Sequence, residues 1–152
     1  MKLLIVEDEG PKLRNVRSLA DELGLFSIIS EARSVGSALK TLRHDTFDMV
    51  LLDMSLPTFD IGNGESGGRP QGFGGQEVLR YMSRYKLQTP VIVVTAFEAF
   101  AEQGKAIDLK ALERSLSSEH AATFRGVVLY NTMFSTWRDS LRDLVTSTLG
   151  TK

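Results

Sequence analysis

Short apolar runs alternate with amphipathic segments along the whole chain. The clearest runs are Leu3–Val6, Met49–Leu52, Pro90–Val94 and Val127–Tyr130, with a weaker one at Phe26–Ser30. Apolar runs of four or five residues, bounded by polar or turn residues, are typical of strands covered on both faces of a parallel sheet. The pattern therefore predicts five buried strands.

The segments between these runs have the three-to-four spacing of amphipathic helices. The first helix and the last helix show it best, through Leu13, Val16, Leu19, Ala20 and Leu23 in the first and Trp137, Leu141, Leu144, Val145 and Thr148 in the last. Gly24 stands where a helix stop belongs. Five strand–helix units predict an α/β fold, a doubly wound five-stranded parallel sheet of flavodoxin-like order 2-1-3-4-5 with helices on both faces.

Composition narrows the class of protein. A chain of 152 residues with 42% hydrophobic and 24% charged residues suits one globular domain over 1–152. The absence of cysteine excludes disulfides and thiolate metal sites, and a net charge of −1 gives no general attraction to nucleic acid or membranes. The first apolar run is too short for a signal peptide and no later run is long enough to span a bilayer, so a cytoplasmic location is expected.

Acidic residues follow two of the predicted strands. Glu7 and Asp8 leave the first strand and Asp53 leaves the third, and these strands are neighbours in a doubly wound sheet. Converging carboxylates repel one another, and a hard divalent cation such as Mg²⁺ relieves the repulsion. The alternative is that these acids only end strands in solvent. Two acids alone, without the residues around them, would favour this alternative.

Three segments, in this order, resemble the receiver domains of bacterial response regulators. They read LLIVEDE at Leu3–Glu9, VLLDMSLP at Val50–Pro57 and VIVVTA at Val91–Ala96. The resemblance covers essentially the whole chain. It implies a two-component signalling module rather than an enzyme, with a sensor histidine kinase or phosphotransfer protein upstream and an unidentified protein downstream. The balanced charge predicts no nucleic-acid or membrane partner, and a homodimer is left open.

The resemblance also assigns roles to residues. Asp53 is expected to be the phosphoacceptor, a carboxylate nucleophile that forms an acyl phosphate. Asp8 and Asp53 are expected to bind Mg²⁺ directly, Glu7 through water, and Ser55 through its backbone carbonyl. Thr95 is expected to donate its hydroxyl to a phosphate oxygen; otherwise it merely ends a strand.

One family feature is missing. Receivers carry a lysine at the end of the fifth strand, seven residues before the first core residue of the last helix. Counting back from Trp137 reaches Tyr130, which is the predicted replacement, with Thr132 as the alternative in a shifted register. A charge-assisted hydrogen bond is worth about 1.5–3 kcal/mol, so its loss predicts a weakened switch. Lys105 and Lys110 are the lysines considered as substitutes, although solvated positions suit both better.

Two stretches are longer than in ordinary receivers. A glycine-rich insertion occupies about 58–75, where seven of the thirteen glycines fall between Gly62 and Gly75, and it is expected to be mobile. The stretch from Thr95 to Tyr130 is also long and contains a helical pattern at Leu109, Leu112 and Leu116. His44 and His120 belong to no ligand-spaced cluster and are expected to be surface or partly packed residues.

Several functions remain in competition. The first is a stand-alone receiver without an output domain. The second is a degenerate pseudo-receiver that binds proteins independently of phosphorylation. A haloacid-dehalogenase-like phosphatase would need a second aspartate where Ser55 stands, and the stretch from Gly62 to Gly75 lacks the GxxxxGK[ST] pattern of a nucleotide-binding loop.

Overall fold

The computed structural model describes residues 1–60, 74–96 and 109–150. Within them the chain alternates strand and helix throughout. The elements are β1 (Lys2–Val6), α1 (Gly10–Leu23), β2 (Ile28–Ala32), α2 (Val35–His44), β3 (Met49–Leu52), α3 (Gly74–Arg84), β4 (Val91–Thr95), α4 (Leu109–Glu119), β5 (Phe124–Leu129) and α5 (Thr136–Gly150).

The five strands form one parallel sheet in the order β2-β1-β3-β4-β5. This confirms the predicted fold class and strand order. β1 lies between β2 and β3, with Val6 paired to Ala32 on one side and to Leu52 on the other. From β1 the chain first adds β2 on one side and then β3, β4 and β5 on the other side. The carboxyl ends of β1 and β3 therefore lie at the switch point where open α/β sheets bind ligands.

The sheet separates two hydrophobic cores, because successive side chains of a strand point to opposite faces. One core joins the sheet to α2, α3 and α4, and its central strand residues include Leu4, Val50 and Val93. The other joins the sheet to α1 and α5 through Ile5, Leu51 and other alternate residues. Helices therefore cover both faces, as the continuous apolar strands predict.

The strand boundaries differ most at β5. The apolar pattern predicts a start at Val127, whereas the strand begins at Phe124 and ends at Leu129. A register irregularity lies where Phe124 pairs with Val91 and Gly126 with Ile92, so Arg125 is the extra residue. A bulge of this kind breaks the alternation of apolar positions and hides the start of a strand from pattern analysis.

The start of α3 packs directly against the segment that follows β3. The Gly75 amide donates a hydrogen bond to the Met54 carbonyl oxygen at 2.9 Å. A Cβ on Gly75 would lie 2.4 Å from the carbonyl oxygen of Asp53, and one on Gly74 would lie 2.8 Å from that of Leu56. The two glycines are thus required by a close backbone approach, while the predicted mobility of most of the Gly62–Gly75 stretch lies outside the described residues.

Helix α4 matches the predicted helical pattern. Leu112 and Leu116 are buried in the core, and Leu109 packs against it. No helix in the described ranges is both long and apolar enough to cross a bilayer.

Candidate phosphoacceptor and metal site

Three carboxylates converge at the carboxyl end of the sheet. Glu7 and Asp8 directly follow β1 and Asp53 directly follows β3. The Asp53 amide donates to the Val6 carbonyl oxygen at 3.0 Å, which continues the pairing of the two strands into the site. Glu7, Asp8 and Asp53 each offer a carboxylate oxygen, and these oxygens lie within 4.8 Å of one another. The predicted acidic cluster is therefore present.

The cluster is costly to keep ionised. Burial and then the negative charge of Asp53 raise the pKa of Glu7 to about 8, against the opposing effect of Lys12. The same two causes, in the same order, raise the pKa of Asp8. Crowded, desolvated carboxylates of this kind suit a hard cation that binds oxygen, because its positive charge offsets the repulsion between them. The donor set therefore suits Mg²⁺, with Asp8 the most accessible of the three acids.

A lysine from α1 enters this cluster. Lys12 is only 2% exposed. Its Nζ lies 2.7 Å from Glu7 Oε1 and 3.2 Å from Asp53 Oδ1, and it donates a hydrogen bond to the Val94 carbonyl oxygen at 2.8 Å. Desolvation lowers the pKa of this ammonium group, but Asp53 and Glu7 together outweigh it, so the pKa of Lys12 is raised. The site thus holds a permanent cation of its own.

Sequence analysis missed Lys12 and considered Lys105 and Lys110 instead. Lys110 is an exposed residue of α4, and Lys105 lies outside the described residues. A signal was nevertheless present, because Lys12 stands one helical turn before Val16 and two turns before Leu19, within the buried stripe of α1. A lysine in place of an apolar residue, four positions after an acid of the site, points into the pocket.

Two polar atoms of the site have no hydrogen-bond partner among the described residues. They are Asp53 Oδ1 and Thr95 Oγ1, both buried. The approach of Lys12 to Asp53 Oδ1 has an ion-pair distance without hydrogen-bond geometry. Buried polar groups are normally satisfied, and exceptions are frequent where a ligand or a reacting group binds. Thr95 is the last residue of β4, and its hydroxyl is left without a partner among the described residues, while its phosphate-binding role stays a prediction.

Tyr130 follows the last residue of β5 and is buried. Its amide donates to the Thr95 carbonyl oxygen at 2.9 Å, and its hydroxyl accepts a hydrogen bond from Asn15 Nδ2 at 2.8 Å. Its ring packs on Trp137 and lies 5.6 Å, centroid to Nζ, from Lys12. Tyr130 therefore borders the site as a packing residue whose hydroxyl is already used by α1. Thr132 is exposed in the loop beyond it.

A cleft of about 300 Å³ opens beside Asp8. Asp8, Arg33, Pro57 and Asp60 line it, and Arg33 reaches across to donate to the Asp8 carbonyl oxygen at 2.9 Å. The acidic cluster is thus approached from the side of β2 and of the segment after β3. Ser55 lies in that segment, partly exposed, and the metal-binding role of its carbonyl stays a prediction.

The histidines lie apart from the site. His44 ends α2 and is exposed, as expected. His120 is 6% exposed, more deeply buried than the sequence indicated, and its Nδ1 shares a hydrogen bond with Ser83 Oγ at 3.0 Å.

The chain is similar to known receiver-domain and response regulator sequences. The family model described as the response regulator receiver domain matches residues 3–114. The Detocs response regulatory protein DtcB of Enterobacter cloacae is 28% identical over 148 residues, which cover 96% of this chain and 99% of that protein. The uncharacterized protein y4jR of Sinorhizobium fredii is 26% identical over 94% of this chain and 95% of its own length.

Solved structures show the same fold. The receiver domain of the sensor histidine kinase PA1611 from Pseudomonas aeruginosa, with a magnesium ion coordinated in its active-site cleft, aligns with a TM-score of 0.61 at 16% identity over 99% of this chain and 98% of its own. The response regulator TrrA from Thermotoga maritima, in complex with Mg²⁺ and BeF, aligns with a TM-score of 0.57 at 20% identity over 94% and 97%.

Proposed function

The chain belongs to the response regulator receiver family, and on that premise we propose that Asp53 accepts a phosphoryl group from a sensor histidine kinase or a phosphotransfer protein. The observation that carries the proposal is the convergence of three carboxylates, with the buried Asp53 among them. Asp53 directly follows β3, and the neighbouring strand β4 ends in Thr95, whose buried hydroxyl has no hydrogen-bond partner among the described residues. Glu7 and Asp8 follow β1 instead.

The chemistry follows from this arrangement. A carboxylate oxygen of Asp53 attacks the donor phosphorus, the bond from phosphorus to the donor breaks, and its electron pair leaves with the donor. When bound, Mg²⁺ neutralises and orients the transferring oxygens. Asp8 and Asp53 would hold the ion directly and Glu7 through water, with the Ser55 carbonyl as a further ligand. Thr95 Oγ1 would donate a hydrogen bond to one phosphoryl oxygen of the product.

We further propose that the chain acts as a stand-alone receiver. Two relatives support this, because the matches cover 99% and 95% of their own lengths and leave little room in them for an output domain. In such a protein the phosphorylation state is read through protein–protein contacts by a separate downstream protein.

The proposal is tested by intact-mass analysis after incubation with acetyl phosphate and Mg²⁺. The wild type should gain the mass of one phosphoryl group, and Asp53→Asn should gain none. Asp48→Asn is the matched control, since Asp48 is an exposed aspartate just before β3, at the opposite end of the same strand. Equal phosphorylation of wild type and Asp53→Asn would overturn the assignment of Asp53.

The competing function is a phosphorylation-independent binding module, which the absence of lysine at the end of β5 favours. The same experiment separates the two. A wild type that gains no phosphoryl group from acetyl phosphate or from a purified kinase would identify the degenerate module.

A further inference from the structure

Lys12 supplies a buried ammonium group, which the residues at the end of β5 do not have. We propose that its ammonium group, delivered from α1, binds the phosphoryl group on Asp53 and so replaces the lysine that receivers carry at the end of β5. This inference rests on the proposed phosphorylation of Asp53. It assigns the phosphoryl-binding role to a different element of the fold and to a residue outside the matching sequence motifs.

The position of Nζ supports the assignment. The group lies 3.2 Å from Asp53 Oδ1, so a phosphoryl group joined to this carboxylate is within its reach. It is held there by the Glu7 carboxylate at 2.7 Å and by the Val94 carbonyl oxygen at 2.8 Å. Its three oxygen neighbours follow or belong to three neighbouring strands, β1, β3 and β4. A lysine that merely covered the apolar face of α1 would extend its ammonium group to water.

The charges of the site support it as well. Glu7, Asp8 and Asp53 contribute three negative charges when ionised, and Lys12 returns one positive charge. One divalent cation then brings the site to neutrality. A receiver with its lysine on β5 reaches the same sum, so moving the lysine to α1 leaves the electrostatic requirement of the reaction intact. The absence of a lysine at the end of β5 therefore does not change the net charge of the site.

Lys12 binds without exchanging a proton. It remains an ammonium group throughout, donating to carboxylate oxygens before transfer and to a phosphoryl oxygen afterwards. Asp53 Oδ1 currently receives no hydrogen bond from it, so stronger contacts are available once the acceptor group extends into the pocket. Phosphorylation then redistributes the donors of Lys12 among Glu7, Val94 and the new oxygens.

This redistribution reaches α1. The bond from Lys12 to Val94 ties that helix to β4 one residue before Thr95, and Asn15 ties the next turn of the helix to Tyr130. The response to phosphorylation should therefore include α1 and the end of β5.

The test compares Lys12→Met with Lys40→Met, an exposed lysine of α2. Two affinities are measured on each protein: that for beryllofluoride with saturating Mg²⁺, and that for Mg²⁺ alone. Isothermal titration calorimetry measures both affinities. Lys12→Met should bind beryllofluoride about 10- to 100-fold more weakly, the value of a charge-assisted hydrogen bond. It should bind Mg²⁺ as well as the wild type or better, because a competing positive charge has gone.

Loss of beryllofluoride affinity with Mg²⁺ affinity kept or raised separates this role from a structural one. A partly unfolded pocket would lose affinity for both ligands, and that result would overturn the proposal, as would unchanged beryllofluoride affinity in Lys12→Met. Glu7→Gln and Glu7→Gln/Lys12→Met give a second comparison in which the Glu7 carboxylate, the nearer of the two acids paired with Lys12, is no longer left without its ammonium partner. The double variant should bind beryllofluoride the more weakly of the two. A wild type that binds no beryllofluoride and gains no phosphoryl group would instead refute the proposed function itself.

Discussion

The contact between α3 and the segment after β3 that begins with Asp53 predicts a large effect of a single methyl group. In Gly75→Ala the new Cβ would meet the Asp53 carbonyl oxygen at 2.4 Å and the Met54 Cα at 2.9 Å. Both are backbone atoms, so no side chain can rotate away, and the helix must move from the strand end. The same movement strains the hydrogen bond from the Gly75 amide to the Met54 carbonyl oxygen.

The magnitude follows from these contacts. Overpacking costs about 1–3 kcal/mol, and the weakened hydrogen bond about 0.5–1.5 kcal/mol. The better helix propensity of alanine returns at most about 1 kcal/mol. We expect the free energy of unfolding to fall by about 2 kcal/mol, which lowers Tm by about 4–8 °C in a domain of this size. Because the obstructed atom belongs to Asp53, phosphorylation by acetyl phosphate should slow as well.

Urea unfolding followed by circular dichroism measures the difference. Gly150→Ala is the matched control, since a Cβ there meets nothing within 4 Å at the end of α5. A Gly75→Ala protein as stable as Gly150→Ala, to within about 0.5 kcal/mol, would refute the close approach of α3.

Three further predictions concern the metal, a histidine and a hydrogen bond. Asp8→Ala should weaken Mg²⁺ binding at least tenfold in a calorimetric titration, and equal affinity would remove Asp8 from the site. Burial lowers the pKa of His120 in the folded protein. Below about pH 6.5 the unfolded chain therefore binds a proton at this histidine more readily than the folded protein does. The free energy of unfolding consequently decreases as the pH falls below that value. In urea titrations on the acid side of neutrality, His120→Gln should show a smaller loss than the wild type; an identical loss would contradict this. Tyr130→Phe should cost about 1 kcal/mol of unfolding free energy through the lost bond to Asn15, and a double-mutant cycle with Asn15→Ala should show the same coupling.

The sequence predicts most of the fold because the three central strands, β1, β3 and β4, are buried on both faces. Met49–Leu52 is bounded by polar residues on both sides, and the structure gives β3 those same limits. The start of β5 escapes prediction, since Arg125 and Gly126 lie outside the apolar run while the strand passes through them with a bulge. Local pattern specifies an uninterrupted strand well, whereas an irregular one is set by its neighbour β4.

The acidic part of the site was equally predictable, because each acid directly follows a strand. Lys12 was not, since lysine is rarely fully buried and its reach across to β4 depends on how α1 packs on the sheet. Sequence spacing gives the face of a helix on which a residue lies. It does not give the depth to which that side chain extends.

The position of Lys12 has an evolutionary consequence. If one cation is needed beside the phosphoacceptor, positions 12 and 130 form a linked pair in which a lysine at one makes a lysine at the other redundant. With both present the pocket would carry one charge too many, and with neither it would carry one too few. Receivers that share Lys12 should therefore be free to vary at position 130, where this chain has a tyrosine that packs on Trp137.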